Sequence, residues 1–210
     1  MIPVKVLAVR YLASATDSLC KELGAPEGNP CLGLITTDCD DATYIALDEA
    51  TKSADVQVCF GNSFYAGAGN ATTPNAGEVL GILCASTPGA VRSGMEAALG
   101  ALERIGFETA ADVPYLAHTV SSCGSFLAKE AGVAEGSSLA YLIAPPLESM
   151  YAMDFALKAA DVKLCKLYTP PSPTNFGGGL LTGTRSACAA ACAAFAEAVA
   201  EVAERSKASP

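Results

Sequence analysis

Apolar and polar positions change period along this 210-residue chain, and the changes predict short strands that alternate with helices. In the first half the pattern predicts the order strand, helix, strand, helix, strand, strand, helix. The predicted strands are at 4–12, 32–37, 55–60 and 77–85, and the predicted helices are at 14–23, 42–53 and 89–103. The second half predicts the same order, with strands at 115–121, 139–144, 161–168 and 180–183 and helices at 125–131, 147–160 and 184–205. This order is typical of an α+β fold in which helices pack on a small antiparallel or mixed sheet.

The two halves also share identical residues at equivalent positions. Residues 48–59 read DEATKSADVQVC and residues 154–165 read DFALKAADVKLC, at an offset of 106. Seven of the twelve positions are identical, whereas unrelated stretches of this length match at about one position. The repeat predicts two domains, at 1–106 and 107–210, each close to a common domain size.

Composition and charge narrow the class of protein. Half of the residues are hydrophobic and 17% are charged, which is enough apolar material for two cores. No apolar run approaches the ~18–20 residues of a membrane span, and the first ten residues lack the features of a signal peptide. We therefore expect a cytoplasmic protein. The net charge of −9 and the lack of a basic patch argue against nucleic acid and favour cationic small molecules as partners.

The residues suited to metal binding are dispersed. Nine cysteines lie mostly in apolar or Ala-rich segments without a CxxC motif, and we interpret them as buried hydrophobic side chains in a reducing compartment. Cys188 and Cys192 have helical i, i+4 spacing, but structural zinc normally recruits four ligands, so we expect no metal site. His118, the lone histidine, aligns with Arg10 in the repeat and is interpreted as a strand residue held by a neighbour.

The sequence lacks the motifs of common enzymes. It has no GxSxG, HExxH, P-loop or GxGxxG pattern. Gly177–Gly179 precedes a predicted strand instead of a helix, so we interpret it as a flexible turn and not as a phosphate cradle. No nucleophile, base and orienting group come together in the pattern, which predicts a protein without catalytic residues and without a required cofactor.

The repeated unit resembles the bacterial microcompartment shell domain. That family carries a Lys-Ala-Ala-Asp/Asn-Val motif at the end of a helix, which appears here as KSADV at 52–56 and KAADV at 158–162. Two copies resemble the tandem-domain branch, and the extra strand and helix before each copy, at 4–24 and 115–132, resemble its circularly permuted arrangement. The stretches LGLITTDCDDATYIALDEATK, YAGAGN, PNAGEVL, YLIAPPLE and LTGT resemble the members from the ethanolamine-utilization compartment.

The resemblance implies a structural role. Such proteins form trimers that look like hexamers and tile edge to edge with other shell proteins around ethanolamine ammonia-lyase and aldehyde-handling enzymes. Pores in the shell pass substrate and retain acetaldehyde. In this chain a long loop replaces the Gly-rich turn that lines the small pore of single-domain members, so those pore residues are not transferred. The alternative function is a trimeric metabolite-binding regulatory protein.

The resemblance also assigns a role to the motif lysines. By motif match, Lys52 and Lys158 lie at the edge of the oligomer and pack against its neighbour. The alternative is a pair of solvated lysines that complement helix dipoles.

Two loops hold equivalent places in the two copies. The first spans 61–76 and includes Tyr65 and Asn70; the second spans 169–179 and has Asn175 and Phe176 at its tip. Because long loops in compact domains tend to be functional, we predict lids over an axial pore that is wide enough for cobalamin. The alternative is a plain surface hairpin.

An acidic cluster predicts a ligand site. Three aspartates lie at 38–41 between a strand and a helix, and Glu78 begins a later strand. Ethanolamine is a cation at neutral pH, and like charges held close together cost stability unless a cation offsets them. We predict that Asp40 and Glu78 bind ethanolamine, with Asp41 and Thr182 in support.

Helix capping is the alternative role for these acids. Asp38 or Asp40 would then cap the helix that follows, as aspartate often does. The second copy has no acid at 144–147, so we expect one ligand site per chain.

Overall fold

The structure is a computed structural model that describes residues 1–65, 77–170 and 172–205. The chain divides into two compact units, each built on one antiparallel sheet. The N-terminal unit comprises Pro3–Gly106 and Gly124–Leu127. The C-terminal unit comprises Met1–Ile2, Phe107–Cys123 and Ala128–Pro210.

The N-terminal unit has the predicted element order. Its strands are β1 (Val6–Leu12), β2 (Cys31–Thr37), β3 (Gln57–Ser63) and β4 (Val79–Ala85). Its helices are α1 (Asp17–Glu22), α2 (Asp40–Ser53) and α3 (Pro88–Leu102). The strands lie in the order β1-β2-β4-β3, so the two strands of the hairpin β3–β4 are neighbours and β3 forms an edge.

Helices cover both faces of this sheet. α3 approaches β2 so closely that a Cβ on Gly33 would lie 2.7 Å from the side chain of Val91. α2 packs on β4 of the same face, where a Cβ on Gly81 would lie 2.6 Å from Leu47. On the opposite face, residues of β2 and β4 form a smaller apolar cluster against which Cys20 of α1 packs.

The C-terminal unit repeats the order with one additional strand. Its strands are β5 (Glu108–Ala110), β6 (Val113–Val120), β7 (Ser138–Ala144), β8 (Val162–Tyr168) and β9 (Gly177–Gly183), in the order β5-β6-β7-β9-β8. Its helices are α4 (Ser125–Ala131), α5 (Pro146–Ala159) and α6 (Arg185–Glu204). The first turn of α4 belongs to the N-terminal unit. The α+β fold with mostly antiparallel sheets is confirmed.

α6 is long and apolar enough to cross a membrane by length and composition, which the expectation from apolar runs had missed. In this unit its inward face packs into the core instead. The buried residues of that face are Cys188, Ala191, Cys192, Phe195, Ala198 and Val199. The high hydropathy of α6 is thus explained by core packing on one face and by alanines on the other.

Residues 106–114, where the sequence pattern predicts neither strand nor helix, contain a hairpin. β5 pairs with β6 through a turn in which Ala111 and Asp112 both have positive φ, 45° and 68°. Turns of this kind normally carry Gly or Asn, so the sequence lacks the usual signal for a two-residue hairpin. The missed strand reflects this unusual turn.

Gly177–Gly179 is a strand and not the flexible turn that its composition suggested. The three glycines begin β9 and pair with Ala144, Ile143 and Leu142. A Cβ on Gly178 would lie 1.9 Å from the carbonyl oxygen of Leu142, and one on Gly179 would lie 2.3 Å from that of Lys166. The glycines are needed because neighbouring backbone passes too close for any side chain.

Each predicted loop is shorter than expected, because a neighbouring strand extends into it. β3 continues to Ser63, so the first loop starts at 64 instead of 61. The second loop ends at 176, because β9 begins at Gly177. Residues 66–76 of the first loop lie outside the described residues.

Candidate functional site

The predicted acids of the N-terminal unit gather at one end of its sheet. β2 and β4 are antiparallel neighbours, with Thr37 opposite Val79, so the end of β2 meets the start of β4. The backbone N–H of Glu78 donates to the carbonyl oxygen of Thr37 at 2.9 Å. Asp40 and Asp41 occupy the first turn of α2, directly after β2. The antiparallel register therefore places all the acids near this end.

These carboxylates are unusually buried for acidic side chains. Asp40 and Asp41 are each 7% exposed, whereas acidic residues are mostly exposed in folded proteins. An oxygen of Asp40 accepts the backbone N–H of Asp41 at 2.9 Å. An oxygen of Asp38 accepts the backbone N–H of Lys5 at 2.8 Å. These acids are therefore held by one backbone donor just before β1 and one in the first turn of α2.

The alternative that Asp38 or Asp40 caps α2 is wrong. The N-cap residue is Cys39, and its side chain makes no capping hydrogen bond. Because none of the three aspartates occupies the N-cap position, helix capping does not account for their being together.

The electrostatics of the cluster favour a cation. The pKa of Glu78 is raised above its ordinary value, first by burial and then by the charges of Asp40 and Asp38. Burial also raises the pKa of the Cys39 thiol, and the nearby charges of Asp41, Asp40 and Glu78 add to the rise. A positive ligand would relieve this repulsion, since an opposite charge within a few ångströms favours the ionised carboxylates.

Thr36 is a polar residue at this end of the sheet that the sequence pattern had not singled out. Its hydroxyl oxygen is buried and makes no hydrogen bond to any of the described residues. It faces Gly77, where a Cβ would lie 2.6 Å from this oxygen and 2.1 Å from the carbonyl oxygen of Thr37. The signal available in the sequence was a pair of threonines at the end of a strand, Thr36 and Thr37, directly before the acids.

Thr182, the fourth predicted ligand residue, belongs to the C-terminal unit. It lies on β9 opposite Leu139 and Lys163. Its hydroxyl donates to the carbonyl oxygen of Ser138 at 3.0 Å. The structure therefore brings Asp40, Asp41 and Glu78 together in one unit, while the role of Thr182 stays a prediction.

The motif lysines make ion pairs within their own helices. Lys52 pairs with Glu49 on α2, and Lys158 pairs with Asp154 on α5 at 2.5 Å. The side chain of Lys52 is 26% exposed and that of Lys158 is 74% exposed. Their predicted role at the edge of an oligomer stays a prediction.

The predicted lid residues differ in how they are held. Tyr65 is 66% exposed, and Asn70 lies outside the described residues. Asn175 has a φ of 65° and donates its N–H to the carbonyl oxygen of Ser172 at 3.1 Å, which closes a tight turn. Phe176 packs edge-on against Phe107, with ring centroids 5.6 Å apart. Phe176 is therefore anchored beside the start of β9 and is not at the loop tip.

The remaining candidate residues lie in regular structure. His118 is on β6 opposite Tyr141. Cys188 and Cys192 are buried on the inward face of α6, and burial raises the pKa of Cys192 to about 11. Within the described ranges no group of three or more His, Cys, Asp or Glu side chains could hold a metal ion.

Comparison with known proteins agrees with this fold over the whole chain. A family model described as the BMC domain matches residues 31–114. A curated relative from Clostridium perfringens, the bacterial microcompartment shell protein EutL, is 53% identical across 97% of this chain and 95% of its own length. The crystal structure of the ethanolamine utilization protein EutL from Leptotrichia buccalis superposes with a TM-score of 0.95 at 54% identity, covering 99% of this chain and 98% of that one.

A more distant structure shares the fold alone. The crystal structure of a trimeric bacterial microcompartment shell protein, PduB, superposes with a TM-score of 0.79 at 18% identity, over 96% of this chain and 90% of that one. The close relatives are named as shell proteins and not as enzymes. The chain therefore belongs to the EutL family of bacterial microcompartment shell proteins, and it is a structural component of the shell.

Proposed function

We propose that this shell protein assembles as trimers that resemble hexamers and tile edge to edge with other shell proteins in the cytoplasm. The support is the internal repeat: each chain supplies two units with the same order of strands and helices. Three chains would then supply six similar units around one axis. A trimer is also the state named for PduB, which shares this fold.

The second part of the proposal is a binding site for ethanolamine at the end of β2 and β4 in the N-terminal unit. The observation that carries it is the burial of Asp40 and Asp41, each 7% exposed, beside a glutamate whose pKa is raised. The ammonium of ethanolamine donates hydrogen bonds to carboxylates, and the hydroxyl of Thr36 is a further polar group at this end of the sheet. The relative from Leptotrichia buccalis is named an ethanolamine utilization protein, which favours this cation over others.

The third part concerns passage through the shell. The loop that follows β3 carries Tyr65 and Asn70, and the loop that follows β8 carries Asn175 and Phe176. We keep the hypothesis that these loops gate an axial pore for metabolites, and that the open pore admits a cofactor as large as cobalamin. The exposure of Tyr65 and the tight turn at Asn175 are compatible with loops that project from the sheet.

Calorimetric titration tests the ligand site. Ethanolamine should bind the native protein with one site per chain. Asp40→Asn should weaken binding at least tenfold, since one of the paired charges is lost. Asp55→Asn is the matched control, because Asp55 is an exposed aspartate of the same unit outside the cluster. Equal binding by the native protein and Asp40→Asn, or no binding by the native protein, would contradict the ligand site.

Electron microscopy of negatively stained protein tests the assembly independently. Flat hexagonal particles or sheets are expected for a shell tile. Isolated globular trimers that never form sheets would favour the alternative, a metabolite-binding regulatory protein.

A further inference from the structure

The repeated cysteine occupies a β-bulge in both units. In the N-terminal unit the pairing of β3 with β4 shifts register between Val58 and Phe60, which places Cys59 at the bulge. In the C-terminal unit the pairing of β8 with β9 shifts between Leu164 and Lys166, which places Cys165 at the bulge. The two cysteines are therefore equivalent in backbone structure as well as in sequence.

Their cross-strand neighbours are not equivalent. Two residues before the first bulge, Gln57 pairs with Cys84 on β4. Two residues before the second bulge, Lys163 pairs with Thr182 on β9. The N-terminal unit thus sets two thiols beside each other at a place where the C-terminal unit has one thiol and one hydroxyl.

The two thiols share one apolar environment. Cys84 is fully buried, and Cys59 is partly exposed and packs against the same cluster with Ile82 and Leu32. Cys20 of α1 packs against this cluster as well. Both Cys59 and Cys84 are free thiols. The Cys59 thiol donates to the carbonyl oxygen of Ile82 at 3.6 Å, two residues before Cys84 on β4.

The two thiols differ in their access to solvent. Cys59 lies on the edge strand β3 and is partly exposed, whereas Cys84 is buried on the interior strand β4. A soluble oxidant therefore reaches Cys59 first. Thiolates are the nucleophilic form of cysteine. The pair accordingly contains one sulfur that can attack an oxidant and a second sulfur beside it.

We propose that Cys59 and Cys84 are an oxidative modification site, at which a two-electron oxidant such as hydrogen peroxide forms an intramolecular disulfide. The Cys59 thiol loses a proton, its thiolate attacks one peroxide oxygen, the O–O bond breaks, and the released hydroxide takes up that proton to become water. The thiol of Cys84 then attacks the resulting sulfenic sulfur, the S–O bond breaks, and its oxygen leaves with the thiol proton as a second water. One peroxide is reduced to two waters while two thiols become one disulfide.

The position of the pair allows the necessary movement. β3 is an edge strand of the sheet that the structure describes. A bulge interrupts the ladder at Cys59, so this residue is held less rigidly than its neighbours. Bringing the sulfurs to the bond length of about 2 Å requires a local shift of the edge strand and leaves β4 in place.

Oxidation should stabilise the N-terminal unit. The disulfide would join the edge strand β3 to the interior strand β4. It would close a covalent loop between residues 59 and 84. A cross-link over a loop of this size restricts the unfolded chain, so the Tm should rise by roughly 5 °C on oxidation.

Peptide mapping of the full-length protein tests the site directly. Cleavage after lysine and arginine releases a peptide of residues 53–92, which contains Cys59 and Cys84 and no other cysteine. After mild peroxide treatment and alkylation in denaturant, this peptide should lack both alkyl groups and have lost two hydrogens. Reduction should restore both alkylation sites and lower the Tm again.

Two variants exchange the arrangement between the units. Cys84→Thr installs the residue of the C-terminal unit, and it should abolish both the cross-link and the rise in Tm. Thr182→Cys recreates the pair beside Cys165, and it should introduce a second intramolecular disulfide. The proposal is overturned if peroxide leaves the 53–92 peptide fully alkylated or converts its cysteines separately to sulfinic acids. It is equally overturned if either cysteine forms its disulfide with Cys20 or with another chain.

Discussion

The carboxylate of Asp48 accepts the backbone N–H of Leu127 at 2.8 Å, from the first turn of α4. Its other oxygen accepts the N–H of Gly124 at 2.7 Å, and the Asp48 side chain is fully buried. Burial raises the pKa of Asp48, and the two backbone donors oppose that rise. One buried side chain of α2 thus satisfies two N–H groups at the start of a helix far away in sequence.

Asp48→Ala should therefore destabilise the protein strongly. Two buried N–H groups would lose their acceptor, so the free energy of unfolding should fall by about 2–4 kcal/mol. Urea denaturation followed by circular dichroism measures the loss. Asp154→Ala is the matched control, because Asp154 is the repeat equivalent but is 57% exposed and pairs with Lys158 on the surface. It should change stability by no more than about 0.5 kcal/mol. Similar losses for the two variants would contradict the capping role.

Gly124→Ala should also destabilise the protein. A Cβ at this position would lie 2.2 Å from the hydroxyl oxygen of Thr51 and 2.7 Å from the carbonyl oxygen of Asp48. Because backbone cannot move aside cheaply, we expect a loss of about 2 kcal/mol in the free energy of unfolding. Gly100→Ala serves as the control, since Gly100 lies inside α3 with open space around a Cβ. That change should stabilise the protein by about 0.5–1 kcal/mol through helix propensity. Thermal unfolding of the two variants should therefore shift in opposite directions.

Glu78→Gln should strengthen the fold and weaken ligand binding. The pKa of Glu78 is raised in the folded state, so the native protein binds more protons than the unfolded chain just above the ordinary pKa of glutamate. Stability therefore falls as pH rises through that window, and the ionised side chain costs stability at pH 7. The variant should have a higher Tm at pH 7, and its advantage should shrink at pH 4. Glu27→Gln, at an exposed position of the same unit, should show no such difference.

Glu78→Gln also tests whether Glu78 binds the ligand or only destabilises the fold. In the native protein, ethanolamine affinity should decline as the pH falls through the raised pKa of Glu78, because the protonated side chain no longer attracts the ammonium. In Glu78→Gln the affinity should be weaker at pH 7 and should lose this part of its pH dependence. Calorimetric titration at several pH values measures both. An unchanged pH profile in the variant would exclude Glu78 from the site.

Reversing the charge of both motif lysines should prevent tiling. The double variant Lys52→Asp and Lys158→Asp should still form trimers by light scattering, because the two ion pairs that it removes lie within single helices and contribute little to stability. It should fail to form sheets in negative stain if these lysines contact the neighbouring oligomer. Lys21→Asp with Lys129→Asp is the control pair, since these exposed lysines are also repeated between the halves. Sheets formed equally by both double variants would contradict the edge role.

Much of the fold was accessible from sequence because its signals are local. The change between strand and helix periods predicted the order of elements in both halves except for β5, and α4 was predicted with its observed bounds. The acidic cluster was also accessible, because Asp40 and Glu78 flank strands that an antiparallel sheet brings side by side. These predictions needed only the period of the pattern and the pairing of neighbouring strands.

Other features depend on contacts between residues far apart in sequence. The repeat gives Asp48 and Asp154 the same letter, yet one is fully buried and the other is on the surface. Cys59 and Cys165 share a bulge, yet only Cys59 has a thiol on the neighbouring strand.

The two-fold repetition, most of the element order and the family can be read from the residues in order, since each depends on residues close together or on positions matched along the chain. Which copy of a repeated residue is buried, capped or paired depends on contacts that form only in the folded protein. The strand formed by Gly177–Gly179 also depends on distant residues, because the backbone of Leu142 and Lys166 leaves no space for side chains there. Burial and close approach depend on what another segment places opposite a residue, and the local pattern around that residue does not contain this information.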